Sequence, residues 1–413
     1  MALIVQKYGG TSVGSIERMR AVADRIAATR AEGDDVVVVL SAMAGETTRL
    51  VELASEASKE PNAACCDLLV STGEQISIAL MSMLLADRGI EAVPLLAHQI
   101  HIHTDDNHGR ARITKIDDDF LRELIGQGRV PVIAGFQGVS STGAITTFGR
   151  GGSDVTAAAV AAALGARTCD IMTDVDGVYT ADPRICERAC KLSRISYEEL
   201  LELADGGAKV VHTRAVEIAA AQRLSLRIRS SFSDEEGTWV IPEEDIMEST
   251  LISGISANLD EAKVAIRSVP DEVGVVARIF EPLARAGINV DLILQNLADD
   301  GRHDLTFTVP KNDLKKALAH AEGAARVVGA GRVEAAGDIA KISVVGIGMR
   351  SHAGVAHTMF ETLAKDNIAI QMIGTSEIKV SIVIDAKHAE LAVRTLHKAF
   401  GLEQRADGEV SRA

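Results

Sequence analysis

The C-terminal part of the chain contains an internal repeat, which restricts the folds that this region can adopt. Residues 273–295 align with residues 353–375 at a constant offset of 80 positions. Eight positions are identical in the two copies, namely Gly274/Gly354, Val275/Val355, Phe280/Phe360, Glu281/Glu361, Leu283/Leu363, Ala284/Ala364, Ile288/Ile368 and Ile293/Ile373. Each copy predicts a strand, a glycine-led helix and two further strands, so two βαββ modules are predicted.

A module of this size buries little hydrophobic core on its own. The two copies are therefore expected to pack on each other or on a partner chain. A pair of modules with a purely structural role in dimerisation is the alternative. In the first copy the elements are expected over residues 263–266, 274–286, 289–294 and 304–309.

The first 230 residues or so have a different pattern, in which short apolar runs alternate with helical periodicity. Runs such as VVVVL at residues 36–40 are apolar throughout, which is typical of strands covered on both faces. The pattern predicts an α/β domain in which helices sandwich a mainly parallel sheet. Strands are expected at residues 3–5, 36–40, 92–96, 130–134, 144–147 and 166–172.

An acidic segment with Gly237 and Pro242 follows this region and predicts a linker at about residues 231–247. The predicted domains are therefore residues 1–245, 262–337 and 338–413.

The charge and the apolar runs exclude some classes of protein. The chain has 43 basic and 58 acidic residues and a formal net charge of −15, which argues against a nucleic-acid partner. No charged leader precedes an apolar core at the N-terminus, and no apolar run approaches the roughly 18 residues of a membrane span. We expect a cytoplasmic protein without a membrane partner.

A histidine-rich segment at residues 97–109 allows two interpretations. Its four histidines lie beside Asp105 and Asp106 and could form a metal cluster. The same residues fit an edge strand that runs into a polar loop, and this interpretation is favoured because Ile102 separates two histidines that would share one strand face. No metal held by side chains alone is expected. The histidines are His98, His101, His103 and His108.

Residues 7–14 read KYGGTSVG and follow the first predicted strand. Glycines allow backbone N–H groups to approach an anion, and Lys7 adds a positive charge at the same point. The helical pattern of residues 15–29 would direct a helix N-terminus at that anion. The segment predicts a phosphate site, and a turn that merely requires glycine is the alternative. Residues 9–14 are called the first glycine loop below.

A second glycine-rich segment, FGRGGSD at residues 148–154, lies between a predicted strand and an alanine-rich helix. Arg150 offers a planar fork suited to a carboxylate, and Asp154 could orient an ammonium group or a lysine. Residues 148–154 are called the second glycine loop below. A third segment, TDVDGVYTADPR at residues 173–184, combines acidic, aromatic and arginine side chains suited to a nucleotide, and an acidic β-turn is its alternative.

These segments together resemble the aspartate kinases of the amino-acid kinase superfamily. The matching segments are KYGGTSVG, VVLSAMAGETTRL, STGEQIS, GFQG, GRGGSD, TDVDGVYTADPR and GAKVVH, in that order. The repeated tail resembles paired ACT domains, so the resemblance covers essentially the whole chain. It implies an αβα sandwich followed by two ferredoxin-like ACT domains, and phosphorylation of the L-aspartate β-carboxylate by ATP to give 4-phospho-L-aspartate. In the family this is the first step of the diaminopimelate pathway to lysine, threonine and methionine.

The resemblance also implies roles for individual residues. Lys7, Glu74 and Asp154 would be catalytic, with Lys7 neutralising charge on the transferring phosphoryl group. The nucleotide site would consist of Lys7, Gly9, Gly10, Ser41, Thr173, Asp174, Tyr179, Arg184 and Lys209. The aspartate site would consist of Thr47, Glu74, Arg150, Gly151, Gly152, Ser153 and Asp154. Mg²⁺ is expected to bind to the ATP phosphates.

The ACT-like tail implies feedback inhibition by lysine, threonine or both, and the segment NVDLILQN resembles the form that responds to both amino acids together. The first module would bind the effector through Asp271, Gly274, Val275, Val276, Asn289, Asp291 and Gln295. The second would contribute Ala369, Ile370, Ser376 and Glu377. Homo-oligomers through the ACT domains are expected, and Met247 could start a separate ACT-only subunit.

Two other functions fit parts of the sequence. An ACT protein that senses amino acids through an inactive kinase domain is disfavoured because Lys7, Glu74, Arg150 and Asp154 are all present. A kinase for another acid, such as acetylglutamate or glutamate, is disfavoured because its resemblance would end near residue 230.

Overall fold

The computed structural model describes residues 2–207, 210–246, 251–297, 301–352 and 354–404. The chain divides into two compact units. The first comprises Met1–Val178, Lys191–Ala204 and Lys209–Glu248, and the second comprises Tyr179–Cys190, Asp205–Ala208 and Ser249–Ala413.

The first unit is an α/β structure. Its strands are β1 (Leu3–Tyr8), β2 (Asp35–Leu40), β3 (Ala92–Leu95), β4 (Ile102–Thr104), β5 (Ile113–Ile116), β6 (Val130–Ala134), β7 (Gln137–Val139), β8 (Ile145–Thr147), β9 (Thr168–Thr173), β10 (Arg194–Ser196), β11 (Leu226–Ser230) and β12 (Thr238–Ile241). Its helices are α1 (Ile16–Ala31), α2 (Glu46–Ala57), α3 (Ala63–Val70), α4 (Thr72–Ala86), α5 (Asp119–Gly126), α6 (Gly152–Leu164), α7 (Tyr197–Asp205, whose last residue groups with the second unit) and α8 (Thr213–Gln222).

The main sheet has the strand order β10-β12-β11-β9-β1-β2-β6-β3 and is parallel except for the pairing of β11 with β12. Val36, Val38 and Leu40 pack with α1 and α4 in one hydrophobic cluster. Val37 and Val39 are also fully buried and point to the opposite face, because side chains alternate along a strand. Helix α6 contacts β1, β2 and β9. The predicted αβα sandwich with a mainly parallel sheet is confirmed.

The segment predicted to be a linker contributes a strand to this sheet. Residues 238–241 form β12, which pairs with both β10 and β11. Thr238 and Val240 are fully buried and alternate with half-buried Trp239 and Ile241. Four residues are too short for this alternation to stand out against the surrounding acidic residues, so the linker prediction was wrong here.

The histidine-rich segment forms a strand, as the favoured interpretation predicted, but not an edge strand. Strand β4 lies inside a small sheet of order β5-β4-β7-β8, between β5 and β7. His101 and His103 stack with ring centroids 5.8 Å apart and both approach Asp117. His108 instead bonds Asp67. Among the described residues no group of three or more His, Cys, Asp or Glu side chains could hold a metal ion.

The second unit contains the two repeated modules. Its strands are β13 (Gly254–Asn258), β14 (Glu261–Pro270), β15 (Ile293–Leu297), β16 (Arg302–Pro310), β17 (Val333–Ala336), β18 (Ile339–Val345), β19 (Met372–Thr375) and β20 (Lys379–Asp385). Its helices are α9 (Val275–Arg285), α10 (Leu314–Val328), α11 (Val355–Lys365) and α12 (Ala389–Ala399). The antiparallel sheets have the orders β15-β16-β14-β17 and β13-β18-β20-β19.

Both modules are larger than the predicted βαββ unit. Helices α10 and α12 each follow the last predicted strand of their module, and the repeat does not include them. Strand β13 precedes the first module in the chain but pairs with β18 of the second. The sheet of the second module therefore uses residues outside the predicted range 338–413, because its edge strand comes from residues 254–258.

Helices α3 and α4 together form one apolar stretch, Ala63–Ala86, which is long enough by length and composition to cross a membrane. The sequence pattern did not predict a stretch of this length. Core helices of globular proteins meet the same criterion. Asp67 and Glu74 on this stretch are buried and hydrogen-bonded to other parts of the first unit, which favours a helix packed in a protein core.

Candidate active site

Lys7 lies at the end of the central strand β1, where the first glycine loop begins. Its side chain is largely buried, and its Nζ lies 2.6 Å from Oδ1 of Asp154. Asp154 is in the first turn of α6 and is also buried. The structure therefore brings the two glycine-rich segments together through an ion pair of two desolvated groups, although Lys7 and Asp154 are 147 positions apart in the sequence.

The first glycine loop passes close to the backbone that follows β2. A Cβ atom on Gly10 would lie 2.9 Å from the carbonyl oxygen of Ala42, so only glycine fits there without a shift of the backbone. The carbonyl of Gly10 accepts a hydrogen bond from the N–H of Ala44 at 3.1 Å. Ser15 then caps α1 and accepts a hydrogen bond from the N–H of Arg18. Lys7, this loop and the start of α1 follow one another in the chain as predicted for a phosphate cradle. That assignment stays a prediction, and the N–H of Gly9 already donates to the carbonyl of Met172 at 3.2 Å.

Glu74 contributes a second buried carboxylate to the site. Its Oε1 accepts a hydrogen bond from the N–H of Ala42 at 3.0 Å, whereas its Oε2 is buried without a hydrogen-bond partner among the described residues. Burial raises the pKa of Glu74 to about 7, and the hydrogen bond from Ala42 opposes this shift. Because Oε2 of Glu74 is buried and has no hydrogen-bond partner among the described residues, it is suited to a ligand that brings a positive charge or a proton donor.

Gly151 sets the geometry of the second glycine loop. Its φ of +72° is a conformation that L-residues with side chains rarely adopt, and a Cβ atom there would lie 2.5 Å from Cδ2 of His212. The N–H of His212 donates a hydrogen bond to Oδ2 of Asp154 at 3.1 Å. The loop, His212 and the start of α6 are therefore packed against each other.

Gly151→Ala is expected to destabilise the first unit more than Gly165→Ala does. Gly165 is the matched control, because it ends α6 with a φ of +64° and a Cβ atom there would meet nothing within 4 Å. Backbone strain alone should cost about 1 kcal/mol at Gly165, and the overlap with His212 should raise the cost at Gly151 to about 3 kcal/mol. Urea unfolding of both variants measures the difference. Equal losses would contradict the close packing of His212 on Gly151.

The remaining residues predicted for the aspartate site lie on α2, on α6 and in the second glycine loop. Ser153 is buried in the first turn of α6, and Thr47 is half-buried in the first turn of α2. Arg150 is exposed, and within the described ranges its side chain has no ion pair or hydrogen bond. Its guanidinium group is therefore free to bind an anion.

The residues predicted for the nucleotide are distributed over both units. The N–H of Ser41 donates to the carbonyl of Tyr8, and Thr173 ends β9 with its hydroxyl bonded to Asp174 at 3.1 Å. Tyr179 and Arg184 belong to the second unit, where Arg184 forms an ion pair with Asp182 at 2.7 Å. Lys209 lies outside the described residues. The nucleotide assignments stay predictions.

The residues predicted for effector binding all lie in the second unit. Asp271 bonds Nε2 of His303 at 2.9 Å, and Asp291 forms an ion pair with the buried Lys341. Glu377 approaches Arg350 at 3.4 Å. Gly274 precedes α9 and Val275 begins it, with Val276 next. Asn289, Gln295, Ala369 and Ser376 are exposed, and Ile370 is half-buried. These assignments also stay predictions.

Asp67 and His212 are important residues of this region to which the sequence assigned no role. Asp67 is almost fully buried and accepts hydrogen bonds from the hydroxyl of Thr147 at 2.5 Å, the N–H of Gly109 and Nδ1 of His108. It therefore fixes the end of β8, from which the second glycine loop begins. His212 belongs to the GAKVVH segment, which gave a signal for the family but not for this contact.

Comparisons with known proteins identify families for both parts of the chain. Residues 2–230 match the amino acid kinase family, and residues 264–324 and 342–400 each match an ACT domain. An aspartate kinase of Pseudomonas putida is 54% identical over 404 residues, which cover 98% of each chain. The structure of Escherichia coli aspartokinase III with aspartate and ADP is 27% identical, has a TM-score of 0.78, and matches over 96% of this chain and 99% of that one.

A second structure of the Escherichia coli protein, in complex with lysine and aspartate, has a TM-score of 0.76 at 26% identity and matches over 96% of this chain and 99% of that one. The family model covers more than half of the chain, and the Pseudomonas putida relative matches over almost its full length. The chain therefore belongs to the amino acid kinase family and, within it, to the aspartate kinases.

Proposed function

We propose that this aspartate kinase transfers the γ-phosphoryl group of ATP to the β-carboxylate of L-aspartate at the site formed by Lys7, Glu74, Arg150 and Asp154. The observation that carries this assignment is the 2.6 Å ion pair between Lys7 and Asp154, which joins the two glycine loops. The product is 4-phospho-L-aspartate, which enters the diaminopimelate pathway to lysine, threonine and methionine.

The nucleophile requires no general base. The β-carboxylate of aspartate has a pKa of about 4 and is already ionised at neutral pH. The barrier instead comes from the approach of two anions, and in-line positioning of the reacting groups lowers it. Lys7 offsets this charge, and the first glycine loop holds the phosphates. Gly10 offers its N–H to them, whereas the N–H of Gly9 donates to the carbonyl of Met172, so Gly9 contributes the close approach of its backbone.

Two groups hold the charged substituents of the substrate's α-carbon. The Oε2 of Glu74, buried without a protein partner in the described structure, accepts the α-ammonium, assisted by Asp154. The exposed guanidinium of Arg150 binds the α-carboxylate as a fork, with the N–H groups of Gly151 and Ser153 beside it. Gly152 lines the site with its backbone, and its N–H donates to the carbonyl of Gly149. These contacts leave the β-carboxylate directed towards Lys7, with Thr47 against the substrate.

Mg²⁺ fits this site as an ion carried by ATP. The Asp154 carboxylate already pairs with Lys7, and the phosphate cradle consists of backbone donors and a lysine, which bind phosphate rather than a metal. When bound, the ion supplies further charge neutralisation on the phosphates. Ser41, Thr173 and Asp174 are assigned to the nucleotide together with Tyr179, Arg184 and Lys209.

The raised pKa of Glu74 predicts how the affinity for aspartate depends on pH. Glu74 accepts an ammonium group only when it is ionised, so kcat/KM for aspartate should fall as the pH decreases below about 7. The bound ammonium favours the carboxylate, so kcat should fall only at lower pH than kcat/KM does. Steady-state kinetics between pH 5.5 and 9, roughly two units around that pKa, measures both profiles.

Glu74→Gln is the control for this pH profile. The variant should have a lower kcat/KM at every pH and should lose the decline near pH 7. If kcat/KM of Glu74→Gln still declined below about pH 7 as in the wild type, a group other than Glu74 would be responsible for the decline.

Lysine, threonine or both are proposed as feedback inhibitors that bind the ACT modules. The lysine complex of Escherichia coli aspartokinase III supports this proposal, since that protein matches the chain across both modules. We also propose a cytoplasmic homo-oligomer assembled through the ACT domains. A short subunit started at Met247 would appear as a second chain in intact-mass analysis of the native protein.

A hydroxylamine-trapping assay tests the proposed function. Purified enzyme, ATP and Mg²⁺ should form a hydroxamate with L-aspartate but not with glutamate or N-acetylglutamate, and lysine or threonine should reduce its rate. Absence of hydroxamate from aspartate would favour an amino-acid sensor with an inactive kinase domain. Preference for another acid would favour a different amino-acid kinase.

A further inference from the structure

The imidazole ring of His212 packs directly on the second glycine loop. Its Cδ2 is the atom nearest to the Cβ position of Gly151, at 2.5 Å, and its backbone N–H bonds Asp154. The next-nearest atoms are Cβ and Cγ of His212, both at 2.8 Å, so the Cβ–Cγ–Cδ2 edge of the side chain faces the loop, and Nε2 is one bond beyond Cδ2. The mechanism proposed above gives this side chain no role.

Hydrogen bonding fixes which nitrogen of His212 carries the proton. The N–H of Arg214 donates to Nδ1 at 3.2 Å, which caps the N-terminus of α8. An accepting Nδ1 has no proton, so the neutral ring carries its proton on Nε2. Within the part of the chain that the structure describes, Nε2 has no hydrogen-bond partner.

The surroundings keep this ring neutral. Burial lowers the pKa of His212, and Arg214 acts in the same direction, while Asp154 and Glu217 oppose the shift. At neutral pH the ring therefore presents an uncharged N–H donor beside the second glycine loop. The side chain of Arg150 on that loop is cationic and exposed.

We propose that Nε2–H of His212 donates a hydrogen bond to a carboxylate oxygen of the amino-acid substrate held on the second glycine loop. This inference rests on the proposed function, because it places aspartate on that loop. A neutral donor fixes the orientation of a carboxylate without adding charge next to the Lys7 and Asp154 pair. ATP is not the expected acceptor, because its phosphates are assigned to the first glycine loop.

Two substitutions separate the donor from the helix cap. His212→Asn keeps an oxygen near the position of Nδ1, so it retains the cap but lacks a group at the Nε2 position. His212→Gln places an amide N–H near the Nε2 position. It lacks an acceptor at the position of Nδ1, so the cap of α8 is lost. The experiment measures the Kd for aspartate by calorimetry, the KM for aspartate and for ATP, and the melting temperature of both variants and the wild type.

We expect His212→Asn to have the same melting temperature as the wild type. It should bind aspartate about tenfold more weakly, with the KM for ATP unchanged. His212→Gln should melt at a lower temperature but bind aspartate within about threefold of the wild type. Normal aspartate binding by His212→Asn would overturn the inference and leave His212 as a helix cap. A change confined to the KM for ATP would also overturn it.

The calorimetric measurement separates this inference from the proposed function. A wild-type protein that binds aspartate without phosphorylating it would contradict the proposed function and still allow the His212 variants to be compared. A wild-type protein that does not bind aspartate would contradict both.

Discussion

Lys7→Ala is expected to lower kcat by about a thousandfold and to leave the KM for aspartate within a fewfold of the wild type. Lys7 lies at the end of β1 with its Nζ against Asp154. In the proposed mechanism it neutralises the negative charge of the transferring phosphoryl group. Its contribution is therefore larger in the transition state than in the aspartate complex. Steady-state kinetics with aspartate and ATP varied in turn measures the two effects separately.

Lys115→Ala is the matched control for this substitution. Lys115 also forms an ion pair with an aspartate, Asp117, but both groups are on the surface. Its loss should leave kcat unchanged. A Lys7→Ala variant that folds normally and retains near-normal kcat would contradict the role of Lys7, and circular dichroism of both variants shows whether the fold is intact.

Arg150→Ala is expected to raise the KM for aspartate about a hundredfold, with a smaller effect on the KM for ATP. The guanidinium is exposed and, in the described parts of the chain, unpaired, so it is available to form two charged hydrogen bonds with the α-carboxylate. Because Arg150 pairs with no other described residue, its removal should not destabilise the protein. Initial-rate kinetics and thermal unfolding measure both expectations.

Arg150→Lys tests whether the shape of the guanidinium matters as well as its charge. Lysine keeps the charge but cannot form the bidentate contact, so the KM should lie between those of the wild type and Arg150→Ala. An aspartate KM that does not change in either variant would contradict the carboxylate contact.

The fold was predictable where the sequence pattern was long and local. The run Val36–Leu40 predicted a central strand because all five residues are apolar, and the structure places this run in β2. Strand β12 was missed because it has only four residues, and β13 was missed because its sequence, GISAN, is interrupted by polar residues and has no continuous apolar run. In addition, β13 pairs with β18 across more than eighty residues of sequence, and no local pattern encodes such a pairing.

The candidate site was predictable as a set of residue types but not as a set of contacts. Lys7 and Asp154 were identified because each belongs to a recognisable glycine-rich segment, and the structure joins them. The contact between His212 and Asp154 depends on how the segment before α8 returns to the start of α6. Asp67 was missed because a buried carboxylate within an apolar helix carries no motif of its own.

The central claim is that the β-carboxylate of aspartate attacks the γ-phosphoryl group directly. It is tested most directly with aspartate that carries a heavy oxygen isotope in the β-carboxylate. After the reaction with ATP, hydroxylamine attacks the acyl carbon, and the phosphate leaves with the bridging oxygen. The account predicts that the released phosphate carries one labelled oxygen derived from aspartate. Phosphate without the label would contradict the account, because the phosphoryl group would then have been transferred to water.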